Sequence, residues 1–282
     1  MSEHWINCDW LVLPHTPDRE AWRARLYEAA AQADRMIFEW DQGGETDWSQ
    51  HPLLLTSWVT SALSIQSDPS RIAAVFGPLD VTLADQLSMP ERHEVVRGVS
   101  DGFAQLSLLP SQRLFGVERF DDGPLEILPG LKVSAPETAA RPSTALAQAL
   151  ELHLHDEAVW PVELFSWSSP FQREGDMAVL DLTGRPRFLA FGPYITMPTG
   201  RWTARFRVAF DDYASRYLFR ADWGQVEHYA SHEFRPGKAG VYEMEITFEW
   251  SERGACEFRF ILREGAFHGE VAISDVTVTR AI

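Results

Sequence analysis

Two short stretches in the last third of the chain pair aromatic rings with polar groups at a spacing suited to holding a sugar. They are Asp211-Asp212-Tyr213-Ala214-Ser215-Arg216-Tyr217 and Asp222-Trp223-Gly224-Gln225-Val226-Glu227-His228-Tyr229. A sugar offers an apolar C–H face and a ring of hydroxyls. A protein holds it by laying Trp or Tyr against the face and surrounding it with Asp, Glu, Arg or His. On this reading Asp212, Tyr213, Asp222, Trp223, His228 and Tyr229 line a shallow binding site. Trp223 directly precedes Gly224, which predicts a loop tip, and an exposed tryptophan marks a contact with something else. The competing reading of Trp223 and Tyr229 is a satellite hydrophobic cluster beneath a loop.

Other chemistry finds less support. His153-Leu154-His155-Asp156-Glu157 is the most metal-like string, because two His at i and i+2 share a face in a strand. It lacks the third His and the spacing of a metallohydrolase, so it reads as a solvated helix end and no metal site is expected. Asp41, Glu45 and Asp47 cluster around Gly43-Gly44, and Asp121-Asp122 sit at a turn; acidic loops of this kind read as solvated. No Gly-x-Ser-x-Gly, phosphate loop or Gly-x-Gly-x-x-Gly occurs, so no catalytic residue and no cofactor is assigned.

The elements that must position the aromatic residues are strands. Arg201 to Phe210, Gly240 to Trp250 and Cys256 to Arg263 alternate apolar and polar residues with a period of two. Each therefore has one buried and one wet face, and strands of this type pair antiparallel in a sandwich. The shared phase predicts burial of Trp202, Phe206, Phe210, Tyr242, Ile246, Phe248, Phe258 and Phe260. The earlier part reads as a mixed α+β module. A helix is expected from Asp18 to Arg35, a strand at Met36–Trp40, and a buried helix or strand pair over Leu53–Ile65. Further helices are expected over Asp68–Phe76, Asp80–Leu87, Met89–Val99 and Ala145–His153, and a hairpin over Leu114–Leu128. Residues 134–145 are small, polar and Pro-bearing and read as a linker. The expected division is 1–160, an acidic docking or oligomerisation module, and 161–282, a jelly-roll-like sandwich.

Composition bounds the rest. Of 282 residues, 41 are Asp or Glu and 25 Lys or Arg, giving −16. Residues 1–170 hold 25 acidic and 11 basic residues (−14), and 171–282 hold 16 and 14 (−2). Neither part offers the basic face that nucleic acid requires. No apolar run reaches the ~20 residues of a membrane span. Met1-Ser2-Glu3-His4 is not a signal-peptide opening, so the expected location is the cytoplasm, or the surface of an exported assembly. Cys8 and Cys256 lie at opposite ends, and Cys256 falls on an apolar strand phase, as a reduced buried thiol would.

Phe191-Gly192-Pro193-Tyr194-Ile195-Thr196-Met197-Pro198-Thr199-Gly200-Arg201-Trp202, then Cys256-Glu257-Phe258-Arg259-Phe260 and Val276-Thr277-Val278-Thr279-Arg280, run in an order with a known counterpart. Over about residues 170–282 it resembles β-sandwich modules attached to bacterial glycosyltransferases and capsular-polysaccharide proteins, which are similar to carbohydrate-binding modules. The resemblance implies sugar-related binding rather than a reaction. It implies structural roles for Gly192 and Gly200, and a cross-strand ion pair for Arg259. The expected function is binding of a surface or capsular polysaccharide by a non-enzymatic bacterial adhesin or accessory protein. Its partners are then a poly- or oligosaccharide and, for avidity, a homo-oligomer or multivalent assembly. The rival is an enzyme of polysaccharide assembly or cleavage whose first part is catalytic.

Overall fold

In the first strand, Trp10, Leu11 and Val12 are all buried, a run without alternation that belongs in a sheet covered on both faces. A computed structural model of the chain describes residues 8–14, 18–42, 52–76, 89–137, 145–225 and 227–281. They fall into two units, 1–81 with 102–143, and 82–101 with 144–282.

The first unit is built from β1 (Trp10–Val12), α1 (Arg19–Gln32), β2 (Ile37–Glu39), β3 (Leu53–Thr56), α2 (Val59–Leu63) and β4 (Ile72–Phe76). Helix α3 (Met89–Leu106) follows and contributes its last turn here, before β5 (Leu114–Gly116), β6 (Leu125–Leu128) and β7 (Leu131–Val133). Five strands lie in the order β2-β3-β1-β4-β5, and all their ladders are parallel. The first unit is therefore α/β and not α+β. One core joins Leu11, Leu53, Leu55, Ala73 and Val75 to Trp22 and Leu26 of α1 and to the β6–β7 hairpin. On the opposite phase, Phe76 meets Phe103 of α3 at 6.2 Å.

Double-sided burial also explains two corrections. Ile72-Ala-Ala-Val-Phe76 is buried at every position and forms strand β4, where the sequence predicts a helix. Leu114–Leu128 is not a hairpin: β5 pairs with β4, and β6 pairs with β7. Leu53–Ile65 resolves into a strand and a short helix in succession. The helix expected over Asp80–Leu87, the acids Glu45 and Asp47, and most of the 134–145 linker lie outside the described residues.

The second unit comprises residues 89–101 of α3, α4 (Ala145–Leu150), α5 (Leu152–His155), β8 (Glu157–Trp160), β9 (Ser166–Trp167), β10 (Gln172–Glu174) and β11 (Met177–Asp181). The long strands follow: β12 (Arg187–Met197), β13 (Gly200–Phe210), β14 (Phe219–Gln225), β15 (His228–Phe234), β16 (Gly240–Trp250) and β17 (Gly254–Leu262), closed by β18 (Glu270–Ser274) and β19 (Val276–Arg280). They form a sandwich of two antiparallel sheets. One runs β10-β11-β18-β13-β19-β8 with β16 on the other side of β13, and the second runs β15-β14-β17-β12-β9. Strand β8 pairs with β19, so the sandwich starts before residue 161.

Between the sheets Trp202, Phe206, Phe210, Ile246, Phe258 and Phe260 are buried, as their phase predicts. Tyr242 and Phe248 are only half-buried, because β16 pairs with β13 alone and stands at the edge. Gly192 and Gly200 have φ of 108° and 125°, a region open to glycine and costly to other residues, in keeping with a backbone role for both. Cys8 and Cys256 are both buried.

His153 carries a testable consequence. It lies buried in α5, and neither ring nitrogen has a hydrogen-bond partner among the described residues. Burial pushes its pKa down from 6.5 to about 3. Above pH ~6.5 the ring is neutral whether the chain is folded or not. As pH falls below ~6.5 the unfolded chain binds a proton that the folded chain refuses, so stability drops by ~1.4 kcal/mol per pH unit. Urea unfolding at pH 7 and pH 4.5 should show an acid-induced loss that is ~2–3 kcal/mol smaller in His153→Leu than in the original chain. Equal losses in both would contradict the neutral buried imidazole.

Candidate functional site

Alternation along β14 and β17 sends Phe219, Ala221, Trp223, Phe258 and Phe260 inward, and Arg220, Asp222, Glu257 and Arg259 to the outer face of the five-stranded sheet. Pairing brings these outer residues side by side. Asp222 stands opposite Arg259 and Gly224 opposite Glu257, while on the other flank Tyr229 and Ser231 face Gly224 and Asp222.

The face is organised around two sunken carboxylates. Glu257, 3% exposed, accepts hydrogen bonds from the hydroxyl of Tyr194 (2.8 Å), the hydroxyl of Tyr229 (2.6 Å) and Nη2 of Arg259 (2.6 Å). Asp222, 1% exposed, accepts from Nε of Arg220 (2.6 Å) and the hydroxyl of Ser231 (2.7 Å). The Arg259 guanidinium lies 4.3 Å from the centre of the Tyr229 ring and 5.5 Å from that of Phe188. Desolvation, followed by the hydrogen bond to Glu257, raises the Tyr229 pKa to about 12, and the same causes raise that of Tyr194. Both phenols are therefore fixed donors to Glu257 at neutral pH. Tyr194 holds φ 68°, a left-handed conformation that is rare for a bulky residue and concentrates at functional sites.

Helix α3 borders one side of this face. The His93 ring lies 4.3 Å from that of Tyr194, tilted at 52°, its Nε2 is 3.3 Å from the Ser166 hydroxyl, and the Ser100 hydroxyl accepts from the Thr196 N–H (2.8 Å). Beyond it, Glu94, Arg97, Gly98, Asp101, Thr196, Arg253, Gly254 and Ala255 line a cleft of about 400 Å³. Ala255 lies two residues before Glu257 on β17, so the cleft prolongs the outer face.

The six expected site residues separate. Asp222 and Tyr229 come together on the outer face. His228 is exposed at the strand end, on the phase of Ala230, His232 and Phe234. Asp212 and Tyr213 are exposed elsewhere, with Tyr213 5.6 Å from His268. Trp223 is not at a loop tip. It is fully buried between Trp160 and Trp250, each at 5.4 Å. Gly224 marks no turn. It lies inside β14, where an added Cβ would come within 2.2 Å of the His228 carbonyl oxygen, so only glycine fits the ladder there.

Arg259, Glu257, Tyr194, Arg220 and Phe188 are the members that sequence reasoning leaves out. Arg259 pairs with Glu257 two residues earlier on its own strand, not across strands. The available signal is the polar phase Glu257–Arg259, set between buried phenylalanines. At the other acidic positions, Asp41 accepts from the Thr56 hydroxyl (2.7 Å) and the Ser57 N–H (2.6 Å), and Asp121 and Asp122 are exposed. His155 ends a helix, and Asp156 pairs with Arg280 at 2.9 Å. Among the described residues no three His, Cys, Asp or Glu side chains converge on a metal-sized space, and no helix is long and apolar enough to cross a membrane.

No protein-family model matches the chain, and no curated protein does. Its solved structural neighbours include carbohydrate-binding modules at low identity. The C-terminal family 6 module of a marine laminarinase from Zobellia galactanivorans is 16% identical over 44% of this chain and 99% of that one, with a TM-score of 0.32. A family 61 module solved with β-1,4-galactotriose is 14% identical over 45% of this chain and 83% of that one (TM-score 0.31). A xylan-binding family 15 module is 13% identical over 42% and 89% (TM-score 0.31).

Proposed function

We propose that the sandwich binds a carbohydrate chain along the outer face of its five-stranded sheet. The observation that carries this reading is the half-buried Tyr229 ring with the Arg259 guanidinium over it, Asp222 and Ser231 paired two residues further along the ladder, and Arg220 hydrogen-bonded to both. A phenol ring suits the C–H face of a sugar, and fixed guanidinium and hydroxyl groups suit its hydroxyls. The side chains hold one another in place before any ligand arrives, which reduces the ordering cost of binding. The rival reading, polysaccharide cleavage, needs carboxylates free to exchange protons or attack. Here the two central carboxylates of the face, Asp222 and Glu257, are buried and committed to guanidinium and hydroxyl donors, and the exposed Glu233 pairs with Arg263, which favours binding over catalysis. The wider role is that of a non-enzymatic adhesin or accessory protein acting on a surface or capsular polysaccharide, in multiple copies because single sugar sites are weak.

A glycan array on the intact chain identifies the ligand. Titration calorimetry with the best glycan should then show Tyr229→Ala weakening binding by ~1–3 kcal/mol, the range for removing an aromatic anchor, at unchanged far-ultraviolet circular dichroism. If the original chain binds no glycan at millimolar concentration, the reading fails.

A further inference from the structure

The outer face is asymmetric in depth. Its carboxylates Asp222 and Glu257 are buried, whereas the side chains of their partners Arg220 and Arg259 are 35% and 26% exposed. Arg220 spends Nε on Asp222 and Nη2 on Ser231, and Arg259 spends Nη2 on Glu257. In each guanidinium Nη1 makes no hydrogen bond to a described residue. An approaching ligand therefore meets two part-exposed guanidinium groups, with Asp222 and Glu257 beneath them and the exposed Glu233 opposite Arg220 on β15. Arg263 adds a third arginine, paired at 3.3 Å with the exposed Glu233. That is a dense set of arginines for a chain of net charge −16.

We infer that the saccharide taken by this face is anionic, and that its carboxylate seats against the Nη1 edges of Arg220 and Arg259 while Tyr229 contacts the sugar ring. This rests on the carbohydrate reading above and names its ligand class. The physical basis is the fork geometry of a guanidinium, which matches a carboxylate, and the strength of charge-assisted hydrogen bonds. The carboxylates beneath hold each fork in one orientation, so little side-chain freedom is lost on binding.

The test uses the full chain and two probes with the same sugar backbone, trigalacturonate and its uncharged, fully methyl-esterified form, with a neutral xylo-oligosaccharide alongside. Calorimetry should give at least ~10-fold tighter binding of the free acid than of the ester. That preference should shrink as salt rises from 20 to 500 mM, since exposed charges are screened. Arg220→Gln should abolish the preference for the free acid. Because that variant unpairs buried Asp222, its melting curve is recorded too, and the ester and salt comparisons stand on the original chain alone. If ester or neutral glycan binds as tightly as the acid, independent of salt, the anionic assignment is overturned and the carbohydrate reading survives. A full free-acid preference in folded Arg220→Gln overturns the arginine seat. Failure of every glycan to bind the original chain overturns both readings.

Discussion

Trp223→Ala should cost ~3–5 kcal/mol of stability, the loss expected for a fully buried tryptophan. The indole is packed between Trp160 and Trp250 and belongs to the layer joining the two sheets of the sandwich. Truncation leaves a void that neighbouring strands cannot close without leaving their ladders. The melting temperature should fall by ~10 °C. Glycan affinity per folded molecule should stay as it was, because the side chain lies on the opposite side of the sheet from Tyr229 and Arg259. Thermal melts and calorimetry on one preparation separate these effects. A stable variant with weakened binding would return Trp223 to the surface role that its neighbour Gly224 suggests.

The second large effect is expected at Glu257. Glu257→Leu removes the acceptor of two phenols and a guanidinium at once, leaving the part-buried Arg259 without its carboxylate partner. Breaking a buried pair by deleting one partner costs ~3–5 kcal/mol. The interaction is a network, so the costs do not add. Glu257→Leu combined with Arg259→Leu should be less destabilised than Glu257→Leu alone, because the second change removes the stranded charge. Urea unfolding of the two singles and the double closes the cycle. Additive losses would mean that the pair contributes nothing and that the face is not organised around Glu257.

The sandwich is legible in the sequence because one face of each strand is wet. Arg201–Phe210 alternates, and its burial in β13 alternates with it. The parallel sheet is illegible for the complementary reason. Strands β3 and β4 are buried at every position, which erases the period that separates a strand from a buried helix. The site is half legible. Asp222 and Tyr229 are visible as a polar–aromatic neighbourhood, but Trp223 belongs to the opposite phase. The phase is misread because Gly224 looks like a turn residue, whereas it is small to let the His228 carbonyl pass. Arg259 is noticed for an ion pair but not as a member of the site, and Tyr194 escapes notice because its meaning is pairing. Tyr194 reaches Glu257 across 63 positions of chain, which no local pattern encodes.

The membership of α3 residues 89–101 in the sandwich unit bears on how the chain is made. These residues leave the ribosome early, while the strand that carries their partner network ends at Leu262, ~160 residues later. At ~5–20 residues per second that interval lasts ~8–30 s. Within it Ser100, buried in the finished protein, can meet its partner Thr196 only once β12 has emerged. A fragment starting at residue 144 lacks that helix and leaves Tyr194 without His93 and the Thr196 N–H without the Ser100 hydroxyl.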